Sequence, residues 1–235
     1  MLNIRNLTKS YGNVKAVDDL TLEIRPGEIC GFIGHNGAGK TTTIKCICGI
    51  LPFEKGDIQV NGISVREDPL TCKKNISYIP DNPDIYEFMT GIQYLNFIAD
   101  IYGVDSSVRQ ERIHRIADQL DLTKDLNQSV GAYSHGMKQK LVIISALIHD
   151  PKLIIMDEPF VGLDPTASYQ LKQLMREHCK QGGSIFFSTH VLDVAEKLCD
   201  QVAIIKSGKL IRNGTMEEVR GDSSLESVFL ELEEQ

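Results

Sequence analysis

At 235 residues, 42% of them hydrophobic, the chain has room for a substantial core, as one large domain or two small ones. A formal charge of −7 gives no broad basic face, so nucleic acid is not an expected partner, although a local basic patch stays open. No apolar run approaches the roughly 20 residues of a membrane-spanning helix, and the six cysteines form no C-x-x-C pair, which argues against a span, zinc and disulfides.

The chain opens on Met1-Leu2-Asn3-Ile4-Arg5-Asn6, which alternates like a strand and carries neither an apolar leader nor a small-residue cleavage site, so a cytoplasmic location is expected. Residues 2–25 read as antiparallel strands, with Leu20, Leu22 and Ile24 alternating against polar neighbours before a turn at Pro26-Gly27. Residues 28–33 read as a short buried strand. The next residues, Gly34-His35-Asn36-Gly37-Ala38-Gly39-Lys40-Thr41, are a G-x-x-x-x-G-K-[ST] loop, and residues 41–50 begin a helix. That context marks a nucleoside triphosphate site. Gly34, Gly37 and Gly39 let the backbone curl until successive amides, those of Asn36 and Ala38 among them, point at phosphate oxygens at a helix N-terminus. Lys40 supplies the cation, the Thr41 hydroxyl is a Mg²⁺ ligand, and Thr42 adds a second hydroxyl at the helix start.

Residues 57–60 and 63–65 flank Asn61-Gly62, a strong hairpin signal. From 84 to 150 the period turns helical: Ile92, Leu95, Ile98 and Ala99 share one face, Ile113, Ile116, Ala117 and Leu120 another, and 141–148 is almost wholly apolar. Apolar runs at 153–156, 185–187 and 202–205 then alternate with helical stretches at 167–180 and 191–198, as in a parallel sheet. A last short strand lies between Ser207-Gly208 and Asn213-Gly214. Leu225, Val228, Phe229 and Leu232 outline a small amphipathic helix that either docks on its own domain or meets a partner. The run at 153–156 delivers Asp157 and Glu158 at a strand's carboxyl end, where open α/β sheets bind ligands. Asp157 is suited to hold Mg²⁺ through water, and Glu158 to take a proton from an attacking water.

Tyr133-Ser134-His135-Gly136-Met137-Lys138-Gln139 then reads as a variant of L-S-G-G-Q. With Tyr11 in Lys9-Ser10-Tyr11-Gly12, Gly162-Leu163-Asp164-Pro165 and Ser188-Thr189-His190, in that order along most of the chain, the sequence resembles the ATP-binding cassette (ABC) ATPases. The resemblance implies an α/β P-loop NTPase (RecA-like) core with an N-terminal antiparallel β subdomain and an inserted α-helical subdomain. All 235 residues then form one domain: 1–83 and 151–215 carry the β subdomain and core, 84–150 the helical subdomain and 216–235 a helical tail. It implies that Tyr11 stacks on adenine, and that Ser134 and Gly136 form a second anion-seeking helix start serving the nucleotide of a second ATPase subunit, identical or different. Asp164 connects the two sites, and His190 joins Lys40 and Glu158 in catalysis by contacting the γ-phosphate. Asp81, in Tyr78-Ile79-Pro80-Asp81-Asn82-Pro83, stands where the family has a glutamine and is a third metal-ligand candidate beside Thr41 and Asp157; its added charge would slow hydrolysis unless Mg²⁺ screens it. His135 and Met137 replace a signature glycine and glutamine.

The combination is similar to separate ATPase subunits of bacterial ABC-2 type exporters, which implies a transmembrane permease partner and a peripheral place on the inner face of the cell membrane. Residues 81–103, with Tyr94, Phe97 and Tyr102, are then a docking surface, or else ordinary core. A soluble ABC ATPase of a cytosolic assembly, such as iron–sulfur cluster building, is the alternative. Repair members carry a long coiled coil between phosphate loop and signature and translation factors carry tandem cassettes; this sequence has neither. His114, His149 and His178 match no motif and are expected at the surface, and most cysteines in a reduced core.

Overall fold

The computed structural model describes residues 1–82 and 85–234. Pro83 and Asp84, where the expected helical segment begins, and Gln235 lie outside the described residues. The first sheet has the order β2 (Val14–Ile24), β1 (Leu2–Tyr11), β4 (Lys55–Val60), β5 (Ile63–Ser64), all antiparallel. Its register pairs Leu2 with Ile24, Ile4 with Leu22 and Leu7 with Leu20, so the alternating apolar residues fall on one buried face.

The second sheet has the order β10 (Lys209–Thr215), β9 (Gln201–Lys206), β3 (Ile29–Ile33), β8 (Ser184–Thr189), β7 (Leu153–Asp157), β6 (Ile76–Ile79). From β9 to β6 it is parallel, and β10 returns antiparallel on its edge. Both faces are covered, which is why its strands read as continuous apolar runs. Ile154 and Met156 of β7 enter one core with Ile79, Ile185 and Phe187, whereas Leu153 and Ile155 enter a second core with Phe32 and Phe186. The second core also holds the buried face of the first sheet and of α1 (Lys40–Ile47), so α1 lies in the layer between the sheets.

The first core receives α3 (Gly91–Ile101), α4 (Ser106–Gln119), α5 (His135–Leu147), α6 (Pro165–Lys180) and α7 (Leu192–Leu198). Their starts are capped as their sequences direct. Thr90 and Gln93 form a reciprocal capping box, and Asp105, Ser134 and Asp164 each accept a backbone N–H of their own helix. After α8 (Met216–Arg220), α9 (Leu225–Glu234) buries Leu225, Val228 and Phe229 in the same core, so the tail docks on its own domain. All six cysteines are buried, and the core placement expected for most of them holds for each.

Two elements escape the sequence reading. β6 offers only four residues with Ser77 among them, and it is held by its ladder to β7. α2 (Pro69–Lys74) is a six-residue turn of helix whose signal, Asp68 before Pro69, was present: Asp68 accepts from the Thr71 amide at 3.1 Å.

Two histidines expected at the surface are not there. His178 is only 7% exposed because it continues the buried stripe of α6 through Leu171, Leu174 and Met175, at helical spacing. His149 stacks on Tyr102 with ring centroids 3.7 Å apart, and its Nε2 lies 3.4 Å from the Ile76 carbonyl. Burial pushes both pKa values down, that of His149 to about 4. His114 is exposed as expected.

Candidate active site

β3 ends at Ile33 and α1 begins at Lys40, and the residues between them wrap back over the sheet. Gly39, the residue before α1, has φ +109°, and a Cβ there would stand 2.3 Å from the Ala16 carbonyl oxygen, so only glycine fits. The loop is pinned from outside by the Gly208 amide donating to Ala38 O at 2.9 Å and from within by the Ala38 amide donating to His35 O at 3.1 Å. Ala38 and Gly34 are buried beneath it, while Asn36 and Gly37 face outward.

Lys40 is 6% exposed, with Nζ donating to Gly34 O at 2.6 Å and His35 O at 3.2 Å and lying 3.5 Å from Glu158 Oε1. A lysine this deep needs such partners. The Thr41 hydroxyl donates to Asp157 Oδ2 at 2.7 Å. On the other side Ser188 donates to Asp157 Oδ1 at 2.5 Å and accepts the Glu158 amide at 3.0 Å. The parallel register explains this contact, because it sets Asp157 of β7 opposite Ser188 of β8. In the sequence Ser188 stands out only as part of its motif; in the fold its fully buried hydroxyl orients both acidic residues.

Glu158 has φ +49°, a left-handed backbone that a side-chain-bearing residue holds only where its surroundings fix it. Its Oε2 lies 3.0 Å from His190 Nδ1, and its Oε1 is buried without a hydrogen-bond partner among the described residues. A cavity of about 230 Å³ opens here, lined by the phosphate loop at 35–37 and 39–42 together with Ala16, Asp81, Asp157 and Glu158. Lys40 is the permanent cation in that lining, against three carboxylates. The oxygen donors Thr41, Asp157 and Asp81 suit a hard divalent cation such as Mg²⁺, and Glu158 Oε1, which makes no hydrogen bond among the described residues and has the Lys40 ammonium beside it at 3.5 Å, leaves an acceptor for a proton or a water.

The structure thus brings together Gly34 to Thr42, Asp81, Asp157, Glu158 and, through Glu158, His190. It does not bring in Tyr11, half exposed with Lys9 Nζ 5.3 Å from its ring centroid, nor Ser134, Gly136 and Asp164. Ser134 caps α5, accepting the Met137 amide at 3.3 Å, and its start is solvent-facing. Asp164 caps α6, and the amides of Ala167 and Thr166, each at 2.9 Å, hold its carboxyl below the usual range. The cavity contribution of Ala16 has no local signal in the sequence, and that of His35 is carried only by its place inside the phosphate loop. The sequence reading also missed Gln139, inside the signature stretch.

The family model described as ABC transporter matches residues 17–161. The Bacillus subtilis ABC-type transporter ATP-binding protein EcsA is 36% identical over 99% of this chain and 96% of its own length. The SkfA peptide export ATP-binding protein SkfE of the same organism is 35% identical over 91% and 88%. A solved structure of an ATP binding subunit of an ABC transporter superposes with a TM-score of 0.95 at 34% identity, covering 99% of each chain.

Proposed function

We propose a working cycle for this chain from one premise: it belongs to the ABC transporter ATP-binding family and is an ATPase. In that cycle two copies, or this chain and a second ATPase subunit, close head to tail. Each phosphate loop then takes the Ser134–Gly136 helix start of the other as the missing wall of its site. The observation that carries this reading is the split of the candidate residues within one chain: Lys40, Thr41, Asp157 and Glu158 share a cavity, while Ser134, Gly136 and Asp164 stand outside its lining. The free helix start has the amides and partial positive charge to meet phosphate.

Within the site, Lys40 meets the terminal phosphates and Thr41, Asp157 and Asp81 hold Mg²⁺, which supplies positive charge against the phosphate oxygens. Glu158 takes the proton of the attacking water, with His190 at 3.0 Å orienting it beside the γ-phosphate. Tyr11 stacks on adenine, a contact of about 1–3 kcal/mol if base-stacking values transfer. Contacts made only in the closed state need total about 5.5 kcal/mol to carry an equilibrium from 1:99 to 99:1.

No helix among the described residues is long and apolar enough to cross a membrane, so the driven element is a separate transmembrane permease. Its docking face lies around α3. Tyr94, expected there, is core at 8% exposure, but Phe88 is 81% and Tyr86 49% exposed, their rings 5.7 Å apart. Export as the direction rests on the ABC-2 resemblance and on SkfE, and the chain then works from the inner face of the membrane as one domain divided as the sequence suggests. A mixing experiment tests the composite site. A Lys40→Ala chain and a Ser134→Glu chain, each inactive alone, regain ATP turnover when combined, because one of the two sites in the mixed dimer is intact; a mixture as inactive as its parts refutes the head-to-tail arrangement.

A further inference from the structure

The segment that follows Glu158 is gripped by the helix that carries the signature of the same chain. Gln139, one turn into α5 and only 1% exposed, donates from Nε2 to the Pro159 carbonyl at 3.0 Å. Three residues on, Gly162 has φ +80° and lies under the His135 ring: a Cβ there would stand 2.9 Å from Cδ2 and 3.0 Å from Nε2. The Val161 amide donates to Glu158 O at 3.1 Å, which closes the turn between the two grips. Glu158 itself sits at the left-handed φ of +49°, so its backbone depends on what fixes the residues beside it.

We infer that Gln139 is a positioning residue for the hydrolytic step: its hydrogen bond to Pro159 holds the Glu158 backbone, and with it the carboxylate, in place between Lys40 and His190. The inference rests on the reading of Glu158 as the proton acceptor. Through α5 the same bond joins Glu158 to the helix start at Ser134, so a shift of the signature helix reaches the carboxylate of its own chain. The other amide atom, Gln139 Oε1, is buried without a hydrogen-bond partner among the described residues and lies 3.8 Å from the position of a Gly162 Cβ. That leaves an acceptor ready for a different setting of the Pro159–Gly162 turn, and it makes a methionine of similar shape tolerable at 139, because removing an unsatisfied acceptor offsets the lost donor.

The test uses the purified full chain and ATP. Gln139→Met is expected to lower kcat about tenfold with KM within about twofold and an unchanged melting temperature. Gln139→Glu cannot donate while ionised, but its carboxyl regains the bond when protonated. Its deficit relative to wild type should shrink as pH is lowered, while that of Gln139→Met stays flat; a purely structural role would produce no such divergence. In Gln139→Met/Glu158→Gln the first change should cost nothing further. If Glu158→Gln is slow and Gln139→Met turns over like wild type, or its loss follows the melting temperature, the inference is overturned alone. If Glu158→Gln turns over like wild type, the reading of Glu158 falls and the inference with it.

Discussion

The phosphate loop and the signature are both helix starts aimed at anions, yet one chain treats them differently. At α1 the loop is buried against Ile205 and Ala16, its lysine and Asp157 are tied by hydrogen bonds of 2.5 to 2.7 Å, and Glu158 is held at 3.0 Å by Ser188 and His190. At α5 Ser134 makes one cap bond of 3.3 Å and the surrounding surface is open. A preassembled half-site binds by itself; a helix start whose one nearby lysine, Lys138, is already paired with Glu87, and which has no metal-binding carboxylate, binds an anion that something else already holds. The two regions therefore differ in when they act, and that is the physical content of the head-to-tail reading.

Substitutions at the two regions should separate accordingly. The largest effect is expected from Glu158→Gln, which keeps the shape and removes the base: turnover should fall on the order of a thousandfold while ATP-dependent dimers persist on size exclusion. Lys40→Ala should cost about a hundredfold in turnover and, unlike the first variant, weaken nucleotide binding to the isolated chain, measured by titration calorimetry. Ser134→Ala should lower turnover by about tenfold and stability by about 1 kcal/mol through the lost cap, leaving nucleotide affinity of the monomer unchanged. If Ser134→Ala weakens monomer binding as Lys40→Ala does, the contrast between the regions is wrong.

Outside both regions, His149 gives a control in pH. Burial holds its folded pKa at about 4, below the ordinary 6.5, so a proton prefers the unfolded chain. Its contribution is complete above pH about 6.5 and is lost as pH falls toward about 4; His149→Gln should flatten the slope of unfolding free energy in that window, read by denaturant titration. The smallest effect is expected at the proposed docking face, where Phe88→Glu should leave basal turnover within about twofold, since Phe88 is 81% exposed, and abolish stimulation by a reconstituted permease.

The cores of the parallel strands, the helix start at Ser134 and the phosphate loop were legible because each is written in neighbouring residues: an apolar run, an oxygen-bearing side chain before a helix, glycines around a lysine. His178 was legible too, at helical spacing from Leu171, Leu174 and Met175, but a residue type habitually placed at the surface masked the pattern.

What the sequence alone determined is therefore the local chemistry and the order in which it is delivered. Tertiary structure decided everything that depends on two distant segments meeting: Ser188 between Asp157 and Glu158, 31 and 30 positions away, Ala16 over Gly39, and Gln139 on Pro159. These contacts follow from strand register and helix placement, which are set by packing both faces of the sheet at once, and no short window of residues encodes such a sum.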